Sequence, residues 1–69
     1  MVEVFRTNVE EKLVSKNIID ILLLCFPENE INFDLDDCDK ILRIEGNIVN
    51  PELIIQLVAN YGYECNVLD

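Results

Sequence analysis

The chain has 69 residues, of which 51% are hydrophobic, and its 14 acidic and 5 basic residues give a formal net charge of −9. This length predicts one domain, residues 1–69, with a small core. The acidic balance excludes nucleic acid as an expected partner, because phosphate recognition depends on Lys and Arg. It also disfavours anionic membrane surfaces, and no apolar run approaches the roughly 20 residues that span a bilayer. A protein partner or a homo-oligomer remains as the expected kind of association.

The chain start and the cysteine content predict a cytoplasmic location. Residues 1–4 contain the acid Glu3, whereas a secretory signal has a basic start followed by an apolar stretch. Three cysteines are an odd number, so a pure disulfide framework would leave one thiol over. A reducing compartment is therefore expected.

The first helix is predicted over residues 9–25, where apolar residues recur at steps of three and four. Thr7 and Asn8 precede it as N-caps, and each is followed three residues later by the glutamate of a capping box. Pro27 ends the helix, since the residue before a proline avoids helical angles. The predicted core-facing stripe is Leu13 or Val14, Ile18, Ile21, Leu22 and Cys25.

Alternating apolar and polar residues predict four strands around the two helices. They lie near residues 2–6, 31–35, 40–45 and 63–67. Asn50 and Pro51 mark the start of the second helix as N-cap and first helical residue, and Gly62 marks its end. The order strand, helix, strand, strand, helix, strand predicts an α+β, ferredoxin-like βαββαβ sandwich, with a four-stranded antiparallel sheet and two helices on one face.

Three segments, residues 26–35 (FPENEINFDL), 41–46 (ILRIEG) and 61–67 (YGYECNV), occur in the order of a known family. They resemble the heavy-metal-associated domain family, small carriers of copper and other soft metals, and the resemblance covers most of the chain. The family carries a Cys-x-x-Cys metal motif between its first strand and first helix. The corresponding segment here, residues 6–15, contains no cysteine. Because Cu(I) needs thiolates, the resemblance implies the fold and the loss of the usual soft-metal site.

Cys38 and Cys65 are the remaining candidate metal ligands, since both could lie at the end of the sheet where the family binds metal. In the usual strand order they come from opposite edges of the sheet, so joint ligation is not expected. Cys25 and Cys65 are predicted to be small core hydrophobes, and Cys38 to be exposed. The acids of residues 34–39 lack the glycine and the distant glutamate of an EF-hand loop. No cofactor is predicted.

The residue inventory predicts no enzyme. The chain has no histidine, one serine and no glycine-rich phosphate loop. Two functional hypotheses stay open at this point. The first is a non-catalytic interaction module that has lost the family's metal site, and the second is a metal-binding or metal-trafficking domain with other ligands.

Three apolar residues of the first helix, Ile19, Leu23 and Leu24, lie outside the predicted core stripe. A helix on a sheet needs only one apolar side. Ile19 and Leu23 are four residues apart and would touch, so these residues are predicted to form an interaction surface. A wider core contact is the alternative explanation.

Overall fold

The computed structural model of the protein describes residues 1–68 and confirms the predicted α+β arrangement. The elements are β1 (Val2–Thr7), α1 (Lys12–Cys25), β2 (Glu30–Asp34), β3 (Ile41–Glu45), α2 (Pro51–Asn60) and β4 (Cys65–Val67). The strands form one antiparallel sheet in the order β2-β3-β1-β4, which is the ferredoxin-like order. The two helices pack against each other and against the sheet. Neither of them is both long and apolar enough to cross a bilayer.

The core lies between the helices and one face of the sheet. Phe5 of β1 and Leu42 of β3 are fully buried and pair directly across the sheet. Side chains alternate between the two faces of a strand, so the neighbouring residues of β1 point away from the helices. Burying an aliphatic or aromatic side chain of this size contributes about 1.5–3 kcal/mol. The other buried apolar residues are Val9, Ile18, Leu22, Ile31, Ile44, Val49, Ile54, Val58 and Cys65.

Helix α1 begins at Lys12, three residues later than predicted, because the predicted cap residues bond elsewhere. Its N-cap is Glu11, which makes no side-chain cap hydrogen bond. Thr7 Oγ1 donates to the Lys40 carbonyl at 2.6 Å, and the Asn8 side chain bonds to the segment before β4. The predicted capping boxes are therefore wrong: both side chains fasten the first loop to the residues that directly precede β3 and β4.

The core side of α1 is centred on Ile18 and Leu22, as predicted, and includes one polar residue. Ser15 is buried and donates its hydroxyl proton to the Lys12 carbonyl at 2.7 Å. The prediction that Cys25 is a core residue is wrong, because its thiol is exposed. Phe26, one residue further and four after Leu22, packs against the core in its place.

Helix α2 begins where the sequence predicts. The Asn50 side chain accepts a hydrogen bond from the Leu53 N–H at 3.3 Å, and Pro51 is the first helical residue. Gly62 follows the helix with φ +98°, a conformation that L side chains rarely adopt. These local signals fix both ends of α2 and aim the chain into β4.

The N-cap of α2 provides a test of this account. Asn50→Ala should lower the free energy of unfolding by about 1 kcal/mol, because it removes the acceptor for a free helix N–H. Asn47→Ala, a change at an exposed asparagine outside both helices, should alter it by less than about 0.5 kcal/mol. Urea unfolding followed by circular dichroism measures both values, and equal losses in the two variants would contradict the cap.

Candidate functional site

The loop between β1 and α1 is fastened to both of its neighbours at one end of the sheet. The Thr7 N–H donates to the Asp39 carbonyl at 3.0 Å, on the side of the β2–β3 turn. On the other side, Asn8 Oδ1 accepts from the Glu64 N–H at 2.8 Å, and Asn8 Nδ2 donates to Glu64 Oε2 at 3.1 Å. The three loops thus meet, at the end where the family resemblance implies a metal site. The first of them contains no thiol.

Cys38 and Cys65 lie on different sides of β1. Cys65 is 4% exposed and pairs with Thr7 from the β4 side. Cys38 is exposed in the β2–β3 turn, and its neighbour Asp39 bonds to Thr7 from the other side. Burial raises the pKa of the Cys65 thiol from 9.0 to about 12. A thiol that is neutral and buried at pH 7 is a poor metal ligand, since metals bind the thiolate.

The β2–β3 turn brings together one group of possible ligands, in which Cys38 lies between two of the acids already noted in the sequence. Oxygen and sulfur atoms of Asp37, Cys38 and Asp39 lie within 4.8 Å of one another. Two of the turn's carboxylates also shape the backbone. Asp34 Oδ1 accepts from the Asp36 N–H at 3.2 Å, and Asp37 Oδ1 accepts from the Asp39 N–H at 2.9 Å. These are Asx turns, which form without any metal.

An open groove of about 350 Å³ runs between α1 and β2. Its apolar lining comes from Ile19 on the helix and from Phe33 and Leu35 on the strand side, all partly buried and packed against the core. Lys12 and Asp36 add charged residues to its lining, which also includes the strand residues Asn32 and Asp34, whose side chains point to the opposite face of the sheet. The groove therefore combines apolar and charged lining residues, as protein-binding sites do.

The three residues predicted as an interaction surface have different environments. Ile19 packs against the core and lines the groove, so for this residue the wider core contact is the better description. Leu23 lies one turn along the same side of α1 and is 37% exposed. Leu24 is 84% exposed and points about 100° away from Leu23 around the helix. Ile19 and Leu23 can thus act together, whereas Leu24 stands apart.

The direction of the backbone groups in β2 follows from hydrogen bonds at the far end of the sheet. The Gly46 N–H donates to the Met1 carbonyl at 3.0 Å. Met1 therefore bonds toward β3. Residues two apart in a strand point their backbone groups to the same side, so Phe5, four residues after Met1, also bonds to β3, where its partner is Leu42. The next residue of β3, Arg43, therefore points its N–H and C=O toward β2.

Ile31 and Phe33 consequently point their backbone groups away from the sheet. Asn32 is the partner of Arg43 and bonds to β3, and its two neighbours have the opposite orientation. Strand β2 is an edge strand, and within residues 1–68 no segment outside the sheet bonds to these backbone groups. Two N–H and two C=O groups therefore stand free beside the groove. The sequence alone does not identify β2 as an edge strand, because that property depends on the order of the strands in the sheet.

The chain has no match among family models, curated proteins or solved structures. The resemblance to heavy-metal-associated domains therefore stays a prediction.

The environments of the three cysteines predict unequal reactivity. At pH 8, Cys25 and Cys38 should react rapidly with Ellman's reagent, because both are exposed. Cys65 should react at least about 100-fold more slowly, since it is buried and little of it is thiolate. Cys65→Ala should lose only the slow phase. Three equally fast thiols would show that β4 does not cover Cys65.

The raised pKa of Cys65 also predicts a pH dependence of stability. The folded state holds this proton more tightly than the unfolded state, so the contribution is complete below pH 9 and is lost as the pH rises toward 12. Over this window the unfolding free energy of the wild type should fall by up to about 1.4 kcal/mol per pH unit relative to Cys65→Val. Parallel stability curves for the two proteins would contradict the buried thiol.

Proposed function

We propose that this chain is a non-catalytic interaction module that binds other proteins and has lost the soft-metal site implied by its family resemblance. The observation that carries the proposal is the groove between α1 and β2. Ile19, Phe33 and Leu35 are only partly covered there, and Leu23, one turn beyond Ile19 on the same side of the helix, is 37% exposed. Apolar surface beside charged residues is typical of a protein-docking site.

The placement of the polar residues supports a role without catalysis. The chain has no histidine, and Ser15 is its only serine. That serine is buried, and its hydroxyl already donates to the Lys12 carbonyl. A nucleophile needs a general base within reach and an open path to substrate, and Ser15 has its proton engaged inside the helix.

The charge of the chain bears on the kind of partner. A net charge of −9 repels a second copy, and screening by salt reduces that repulsion, with a Debye length of about 8 Å at 0.15 M. The same charge accelerates encounter with a basic protein. A hetero-partner with a basic surface is therefore favoured over a homo-oligomer.

Replacing Leu23 tests the docking surface. Leu23→Lys should leave the fold intact, because the side chain is 37% exposed, and should abolish partner capture from a lysate of the source cells, together with any self-association seen in sedimentation at high salt. Leu53→Lys is the matched control, since Leu53 is 40% exposed on the other helix and should keep both activities. The proposal is wrong if the wild type is a monomer at low and high salt and captures nothing.

Metal binding is the second candidate function, favoured by the convergence of Asp37, Cys38 and Asp39. A mixed carboxylate and thiolate set suits Zn²⁺ better than Cu(I). In a competition assay with a strong Cu(I) chelator, we expect the reduced protein to leave the metal with the chelator. Stoichiometric capture of Cu(I) or Zn²⁺ that is lost in Cys38→Ser would establish the metal function instead.

A further inference from the structure

We infer that the free edge of β2 binds an extended segment of a partner protein as a fifth strand, and that this segment alternates apolar and basic residues. The inference rests on the proposed interaction function and names the chemistry of the partner. It combines three features of the same edge: free backbone groups, an adjacent apolar groove, and acidic side chains on the opposite face.

The backbone of β2 supplies four hydrogen-bonding groups. Ile31 and Phe33 each direct one N–H and one C=O outward, as the register with β3 requires. A strand laid antiparallel beside them, as in the rest of this sheet, would exchange two hydrogen bonds with each residue. Binding through these groups requires an extended ligand with free amides at alternate positions.

The side chains of β2 specify the pattern of the ligand. Residues opposite Ile31 and Phe33 would point to the helix side and should be apolar, and the one opposite Phe33 would enter the groove beside Ile19. Residues opposite Glu30 and Asp34 would point to the other face, where opposite charges stabilise a cross-strand pair. The preferred segment therefore has basic residues at its first and last positions and apolar residues at the second and fourth.

The same acids argue against a second copy of this chain as the occupant. Antiparallel pairing of two β2 strands about Asn32 would place Glu30 of each copy opposite Asp34 of the other. Like charges directly opposite each other destabilise a strand pair, and each copy carries a net charge of −9. Charge complementarity therefore selects a basic segment from a different protein.

A synthetic peptide with the central sequence Lys-Val-Thr-Val-Lys, labelled with fluorescein and flanked by glycines, tests the inference. The full chain should bind it in a fluorescence anisotropy titration. Methylating both valine nitrogens removes the donors to β2, and Lys-Ser-Thr-Ser-Lys keeps the charge but lacks the apolar anchors. Each change should weaken binding about tenfold or more, while a ligand held by charge alone would tolerate both.

Reversing the charge of β2 tests the pairing directly. The double variant Glu30→Lys, Asp34→Lys should bind Lys-Val-Thr-Val-Lys about tenfold or more weakly and should instead bind Glu-Val-Thr-Val-Glu. The variant Glu10→Lys, Asp20→Lys makes the same change in net charge at exposed sites off this edge. It should keep the original preference, with circular dichroism confirming that both variants are folded.

Four results would overturn the inference, and the first three concern the peptide. They are no binding of the basic peptide up to millimolar concentration, equal binding of its N-methylated form, and a peptide footprint in amide chemical shifts that lies on α2 or the loop end. Shift changes at Ile31 and Phe33 that depend on protein concentration alone would also overturn it, because a second copy would then occupy the edge. None of these results decides the interaction function itself, which the Leu23→Lys experiment tests separately.

Discussion

The register between β2 and β3 is the constraint on which the functional account depends. In a strand, the direction of a side chain and the direction of its backbone groups alternate together. The register joins Asn32 to Arg43, so the backbone groups of Ile31 and Phe33 lie at the free edge while their side chains face the helices. A shift of one residue would bury the acids Glu30 and Asp34 and expose the apolar residues. The hydrophobic pattern therefore fixes the binding chemistry of the edge as well as the core.

The β2–β3 turn holds this register in place. The turn's Asx hydrogen bonds, the left-handed conformation of Lys40 (φ +48°) and the bond from Lys40 Nζ to the Leu35 carbonyl define its path. Thr7 then anchors it to β1 through two hydrogen bonds. The acids of this region thus shape the turn, and those of β2 also protect the edge, because charge on an exposed edge discourages pairing with further copies.

Much of the fold could be predicted from the sequence because its signals are local. The structure has a strand where residues 31–35 alternate, a helix start at the Asn50-Pro51 pair and a helix end before Gly62. Each of these signals acts through the backbone of its own segment. The start of α1 could not be predicted in this way. Thr7 and Asn8 have the chemistry of caps, but partners far along the chain bind their side chains. Tertiary hydrogen bonds outweigh a local preference there.

The candidate site was less predictable, since it depends on which elements become neighbours. The sequence indicates apolar surplus at Ile19, Leu23 and Leu24 but does not distinguish them. Only the packing of α1 beside β2 shows that Ile19 belongs to the groove, while Leu23, on the same side of the helix, is 37% exposed and Leu24 faces elsewhere. For Phe33 and Leu35 the sequence predicts only that they belong to a strand. Their place in the groove depends on α1 packing next to them. The burial of Cys65, by contrast, follows from alternation within the last strand.

Amide hydrogen exchange of the free protein tests the central claim most directly. If β2 is a free edge in the register described, the amides of Ile31 and Phe33 should exchange rapidly, and those of Asn32 and Asp34 should be protected by their bonds to β3. Slow exchange at Ile31 and Phe33 equal to that at Asn32 would mean that the edge is already covered. The inverse alternation would mean that the register, and with it the proposed ligand pattern, is wrong.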